Sequence, residues 1–151
     1  MKKVLIVFLL TGCGQAPSGP APQAPEFTPY VEAFEQAATS QGVVVETTDI
    51  EMTFTDASLE APGAETKAIL AICEHIGGAK RISVNRAKWD KLDEERKEAL
   101  VAHEIGHCSD LNRHHDDSME DGEPVSIMHP KLLKSEVYKK NKDKYMKELF
   151  L

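Results

Sequence analysis

The sequence lacks a hydrophobic run long enough to cross a membrane, and it lacks a basic stripe interleaved with aromatic residues. A membrane-spanning helix needs about 20 apolar residues, whereas the apolar run from Val4 to Leu10 has seven. The formal net charge of −7 also argues against nucleic acid as a partner. At 151 residues, the chain is long enough for one domain with a hydrophobic core and too short for two. We therefore expect a monomeric, single-domain protein that does not bind nucleic acid.

The N-terminus has the pattern of an export signal. Two lysines precede the short apolar run, and "LTGC" follows it, ending at Cys13. This ending resembles the lipobox of bacterial lipoproteins, in which the cysteine is acylated and becomes the mature N-terminus. The resemblance implies a signal peptide over residues 1–12, a lipid anchor on Cys13, and a location in the bacterial cell envelope, facing the periplasm or the cell surface. By resemblance to enterobacterial sorting, Gly14 rather than an aspartate after the cysteine implies the outer membrane. The alternative is an ordinary cleavable signal with a chance cysteine.

A proline-rich segment follows this signal. Residues 14–29 contain five of the eight prolines and little that could be buried. Such a composition favours an extended, disordered linker. We therefore expect the lipidated cysteine and a tether over residues 13–27, followed by a folded domain over residues 28–151.

The remaining sequence alternates between helical and strand patterns. Apolar residues recur at helical spacing over 28–42 and again after Asp93, a residue that favours the helix N-cap. The β-branched and apolar residues over 43–55, and the alternation in "KRISVNR", predict strands. The apolar run over 68–73 fits either a helix or a strand. Ser135 is expected to cap a final helix.

Four of the six histidines lie within thirteen positions, in "HEIGHCSDLNRHH". His103 and His107 are four residues apart, so they project from one face of a helix, about 6 Å apart along its axis, and can bind one metal ion. Glu104 lies beside them, where its carboxylate can accept a proton from a metal-bound water. The motif therefore predicts a zinc site with a general base.

This helix and its surroundings resemble the zincin metallopeptidases, and within them the metzincins. In that family the motif HExxHxxGxxH binds zinc, and a methionine turn lies beneath the metal. Here "SIMHP" is similar to that turn, with Met128 in the methionine position. The strand "KRISVNR" precedes the helix, as the substrate-lining strand does in the family. The resemblance covers residues 80–130 and implies a small α+β domain: a short mixed sheet with an active-site helix and a C-terminal helix.

The sequence departs from the metzincin pattern after His107. Asp110 stands where the family has its turn glycine, and Arg113, which cannot deprotonate to bind zinc, stands at the third ligand position. Asn112 is the nearest residue that tolerates the left-handed conformation of the turn. An insertion of one or two residues before the turn would restore the geometry.

Several residues remain candidates for the third ligand. His115 lies three residues after Asn112, at the family's spacing from the turn, and His114 is its neighbour. A downstream carboxylate, Glu120 or Glu123, would give a glutamate-ligated zincin site instead. The sequence leaves these alternatives open.

Cys73 and Cys108 remain as a pair once Cys13 carries a lipid. Two leftover cysteines in a small exported domain usually bond, so we predict a disulfide between them that fixes the metal-bearing helix to the preceding segment. His75 and His129 lie apart from the histidine cluster. We interpret His75 as a surface or core residue and His129 as structural, although its place next to Met128 could bring it near the substrate.

These patterns predict a zinc-dependent endopeptidase on a lipid anchor. One Zn²⁺ would be held by His103, His107 and either His115 or His114, with Glu104 as general base and later proton donor during hydrolysis of a peptide or protein substrate. A second hypothesis is a non-catalytic, zinc-binding lipoprotein that serves as an interaction or structural module. A third is metal scavenging. Glu104 favours the enzyme, because a purely structural zinc site has no use for a base.

Overall fold

The structure is a computed structural model of the whole chain, and it describes residues 20–60, 68–111, 114, 116–119 and 121–151. The predicted signal peptide and Cys13 lie outside these residues. No helix within them is long and apolar enough to cross a bilayer.

The described part of the chain contains five strands and four helices. The strands are β1 (Ile50–Thr55), β2 (Leu59–Glu60), β3 (Ala68–Ile69), β4 (Ala71–Ile76) and β5 (Ala79–Asn85). The helices are α1 (Thr28–Ser40), α2 (Arg86–Trp89), α3 (Glu94–Cys108) and α4 (Ser135–Leu149), and a 3₁₀ turn over Pro25–Phe27 precedes α1. This arrangement confirms the predicted α+β class with a short mixed sheet.

The sheet has the strand order β1, β5, β4. β1 pairs with β5 in parallel, and β4 pairs with β5 in antiparallel. Gly77 and Gly78 connect β4 to β5 with φ values of 59° and 87°, and a two-residue hairpin turn requires such positive φ values. β4 is therefore an edge strand, and it packs against α3.

Helix α3 lies at the centre of the domain, between the sheet, α1 and α4. Asp93 caps its N-terminus as predicted, because its Oδ1 accepts the backbone N–H of Arg96 at 3.0 Å. The buried residues of α3 occupy most of its surface after the first turn: Ala99, Leu100, Val101, Ala102, Glu104, Ile105, Gly106 and Cys108. Because packing surrounds this helix, side chains on it are held on a rigid element.

The structure differs from the predicted tether over the second half of that segment. The backbone N–H groups of Ala21 and Ala24 donate hydrogen bonds of 2.8 and 2.9 Å to the carbonyls of Thr48 and Met52. Phe27 is fully buried in the core. Composition could not reveal this, because backbone hydrogen bonds to a strand require no particular side chain. The folded domain thus begins before residue 28.

The structure also decides three further elements. One strand, β1, forms over the segment 43–55, for which one or two strands are predicted. The run over 68–73, which fits either a helix or a strand by its sequence, belongs to β3 and β4. Ser135 begins α4 but does not cap it. Its hydroxyl donates instead to the second carboxylate oxygen of Asp93, so Asp93 joins the N-terminal ends of α3 and α4.

Candidate active site

His103 and His107 lie one turn apart on α3, and both are half-buried. Their Nε2 atoms are 3.1 Å apart. The four-residue spacing places both side chains on one face of the helix, as predicted.

Helix α3 ends in a left-handed turn at Asp110, which has a φ of 53°. The N–H of Leu111 donates to the carbonyl of Gly106 at 3.1 Å, and the N–H of Asp110 donates to that of His107 at 3.3 Å. This pair of bonds defines a Schellman motif. The chain therefore leaves the helix at Asp110, not at Asn112 as predicted; Asn112 itself lies outside the described residues. Aspartate adopts this conformation more readily than most residues, because its short polar side chain can hydrogen-bond to nearby backbone groups.

Three histidine nitrogens converge beyond this turn. The Nε2 atom of His114 lies 3.1 Å from that of His107 and 3.3 Å from that of His103. His114 follows His107 by seven residues, one more than in the metzincin motif. Because the turn keeps the metzincin position, the additional residue comes after it.

The other candidate ligands do not join this group in the part of the chain that the structure describes. Glu123 forms an ion pair with Lys134 at 3.3 Å. His115 and Glu120 lie outside the described residues. Within them, no further histidine, cysteine or carboxylate belongs to the cluster of His103, His107 and His114.

The orientation of His103 is fixed by the "SIMHP" loop. Its Nδ1 lies 2.8 Å from the carbonyl oxygen of Ile127, and since a carbonyl only accepts, Nδ1 carries the hydrogen. Nε2 therefore presents its lone pair to His107 and His114. Burial also lowers the pKa of His103 to about 4. A neutral imidazole is the form that binds a metal, so this donor set fits a metal ion.

Met128 supports α3 between the two helical histidines. It is fully buried, and its Sδ atom would lie only 2.8 Å from a Cβ atom added at Gly106. Ser126 holds this loop: its hydroxyl accepts the N–H of Met128 at 3.0 Å and donates to Glu148 of α4 at 2.8 Å. The methionine therefore packs directly against the backbone of the motif.

Glu104 is nearly fully buried beside the histidines, with 6% of its surface exposed. Burial raises the pKa of its carboxyl to about 8, and a backbone hydrogen bond from Cys73 acts in the opposite direction. Its carboxylate is outside the three-histidine group. Glu104 therefore lines the same cavity as the three histidines without belonging to their group.

A cleft of about 430 Å³ is lined by the three histidines and Glu104. Residues 69–73, which include the start of β4, line one side, and residues 129–133 line another. The prediction that "KRISVNR" lines the substrate site is wrong, because this segment is β5, the central strand. Both strands have apolar residues facing the core, so their patterns could not show which one lies at the edge.

Cys73 of β4 and Cys108 at the end of α3 form a disulfide, with Cα atoms 5.6 Å apart. This is the pair that the sequence analysis predicted. The bond joins the edge strand beside the cleft to the residue that follows His107. The two walls of the site are therefore covalently linked.

Comparison with known families identifies the type of protein. Residues 44–132, more than half of the chain, match a family model described as "Putative phage metallopeptidase". The chain belongs to this metallopeptidase family. No curated protein and no solved structure matches the chain.

The part of the chain that matches the metallopeptidase family contains every element of the site, from β1 to the loop after Met128, and ends before α4. Membership implies a metal ion, and the three-histidine group could hold it. A second group that could bind a metal, Cys73, His75 and Cys108, has both of its sulfur atoms in the disulfide.

The structure favours the second of the two interpretations of His129. This residue lines the same cleft as the histidine cluster. Its position directly after Met128 in "SIMHP" is the sequence signal for that placement. His75, by contrast, is an exposed residue of β4, as expected.

Proposed function

We propose that this protein is a zinc-dependent endopeptidase, with one Zn²⁺ held by His103, His107 and His114. Nitrogen ligands 2.0–2.1 Å from a tetrahedral zinc ion are about 3.3 to 3.4 Å apart. The Nε2 separations of 3.1, 3.1 and 3.3 Å are close to this spacing. Catalytic zinc sites have three protein ligands, whereas structural sites have four. The three-histidine group beside Glu104 is the observation that carries the proposal.

The chain's own residues supply the remaining chemistry. A bound zinc ion acts as a Lewis acid that polarises a carbonyl and acidifies water. In its ionised form, which the positive charge of a bound metal would favour against the effect of burial, Glu104 accepts a proton from the attacking water as the water oxygen bonds to the carbonyl carbon of the scissile peptide. It then delivers that proton to the amide nitrogen as the C–N bond breaks, which releases a carboxylic acid and an amine. The substrate would lie in the cleft beside β4, as an extended peptide or a loop of a protein.

The non-catalytic zinc-binding module is the weaker alternative. Its main argument was the irregular spacing between the second and third histidines. The turn at Asp110 and the position of His114 account for that spacing with a single additional residue.

We also propose that Cys13 carries a lipid and anchors the enzyme in the bacterial cell envelope, at the outer membrane. The support is the sequence: two lysines, a short apolar run and "LTGC" in succession. Substrates would then be peptides or proteins of that compartment.

The decisive experiment replaces the proposed general base, Glu104, and leaves the three histidine ligands unchanged. Glu104→Gln keeps the size of the side chain but cannot accept the proton. The variant should retain one zinc per chain and its thermal stability, while cleavage of a responsive peptide falls by about 10²- to 10⁴-fold. Glu95→Gln on the same helix is the matched control, because Glu95 lies outside the cleft lining, and it should cleave like the wild type.

Three outcomes would contradict the proposal. Loss of zinc from Glu104→Gln would make Glu104 a ligand or a structural support. Unchanged cleavage would assign the activity to another site. Failure of the zinc-loaded wild-type protein to cleave any member of a diverse peptide library would favour the non-catalytic module.

A further inference from the structure

We propose that His129 is a catalytic residue, which donates a hydrogen bond from Nε2 to the carbonyl oxygen of the scissile peptide as that oxygen gains negative charge. The inference rests on the proposed peptidase function and adds a residue to it. It assigns to this histidine a role that neither the zinc ligands nor Glu104 can perform.

His129 lies in the cleft but outside the ligand group. It lines the same cavity as His103, Glu104 and His107. Its nitrogens do not belong to the three-histidine cluster of the described residues. A polar ring is therefore placed near the reaction centre without being used to hold the metal.

The hydrogen bonds of His129 orient its ring. The backbone N–H of Lys131 donates to Nδ1 at 3.1 Å. Nδ1 also lies 3.3 Å from the carbonyl oxygen of Lys131, and the shorter contact, with the backbone N–H, assigns Nδ1 as the acceptor. In this arrangement the ring hydrogen is on Nε2, where the proposed hydrogen bond needs it.

The loop that carries His129 is firmly held. The N–H of His129 donates to the carbonyl of Ser126 at 3.3 Å, and the hydroxyl of Ser126 is bonded to Glu148 of α4. The neighbouring Met128 is fully buried. Because a preorganised donor needs no rearrangement during the reaction, such a support is what stabilisation of a developing oxyanion requires.

The other described side chains that line the cleft leave this role open. Most are apolar. Glu104 is an acceptor when it acts as a base, and the Nε2 atoms of the three clustered histidines face the metal position. Lys131 also lines the cleft, but its side chain is exposed. His129 is the oriented donor among them.

The first test separates catalysis from substrate binding. His129→Ala should retain one zinc per chain, and its kcat should fall by about 10²-fold, the lower end for loss of one oxyanion donor, with KM little changed. His129→Gln, whose amide can donate, should recover part of this loss. His75→Ala is the matched control, because His75 is a histidine of β4 outside the cleft lining, and it should behave like the wild type.

The second test requires no turnover. A phosphinic peptide carries a tetrahedral, anionic group like the developing oxyanion, whereas a peptide thiol binds zinc through sulfur alone. Calorimetry on zinc-loaded protein should show that His129→Ala lowers the affinity for the phosphinic peptide by about 10- to 100-fold, the equivalent of one hydrogen bond to a charged group. Binding of the thiol should not change.

The outcomes distinguish the two proposals. If the wild type neither cleaves peptides nor binds either ligand, the peptidase function fails. If the wild type cleaves peptides and binds both ligands, and His129→Ala does so equally well, the role of His129 fails. It also fails if His129→Ala loses the same affinity for the phosphinic peptide and for the thiol. Loss of zinc from His129→Ala would also overturn it, because His129 would then support the metal.

Discussion

At the scale of single residues, Gly106 shows how Met128 constrains helix α3. A glycine inside a helix destabilises it by about 0.5 to 1 kcal/mol relative to alanine. At this position, however, a Cβ atom would lie 2.8 Å from the Sδ atom of Met128. The glycine is therefore explained by the close approach of the methionine and not by any need for backbone flexibility.

We expect Gly106→Ala to lower the free energy of unfolding by about 1 to 3 kcal/mol, the usual cost of overpacking. In a Met128→Ala background the 2.8 Å contact disappears and only the Cδ1 atom of Leu149 stays close, at 3.3 Å, so the same change should cost little or stabilise by up to about 1 kcal/mol. Urea denaturation of the four proteins in this double-mutant cycle measures the difference. An equal cost in both backgrounds would show that Met128 does not set the requirement for glycine.

The identity of the third ligand is the second prediction at this scale. His114→Ala should lower zinc affinity by more than the about 10- to 100-fold that loss of a supporting partner costs. His115→Ala is the natural control, and it should bind zinc like the wild type. Competition with a chromophoric chelator provides the measurement. The reverse order of effects would assign the third position to His115.

At the scale of elements, the parts of the site that depend on local sequence were predictable. His103, Glu104 and His107 share one helix, and Asp93 caps it, because helical spacing and capping require only nearby residues. The edge position of β4 was not predictable, since strand order depends on pairing between distant segments. The turn at Asp110 was missed because aspartate adopts positive φ less readily than glycine or asparagine.

The disulfide that joins β4 to α3 is open to a direct test of stability. Its cysteines are 35 residues apart, and a closed loop of this length stabilises the folded state by roughly 3 to 4 kcal/mol in the chain-entropy model. The double variant Cys73→Ser/Cys108→Ser should lose about this much in urea denaturation. A reducing agent should lower the stability of the wild type but not that of the double variant. Equal sensitivity of both proteins would contradict the assignment.

At the scale of the whole molecule, the proposed lipid anchor on Cys13 predicts where the protein is found in the cell. In a host that exports the protein, the wild type should be recovered with the membranes, and mass spectrometry should find an acylated Cys13 at its N-terminus. Cys13→Ser should remain unacylated, and no mature chain that begins at residue 13 should form. Membrane association of the wild type through an uncleaved, unacylated N-terminus would refute the anchor.

If Cys13 carries a lipid as proposed, the docking of residues 21–27 onto the domain would limit how far from the membrane the protein can act. With a lipid on Cys13, only residues 14–20 separate the bilayer from the folded part, and seven extended residues span at most about 25 Å. A domain of this size has a radius of gyration of about 14 Å. The linker is therefore no longer than the folded domain is wide. The anchored enzyme would reach only substrates close to the membrane. A protein in the middle of the periplasm would be cut only after it had diffused to that surface.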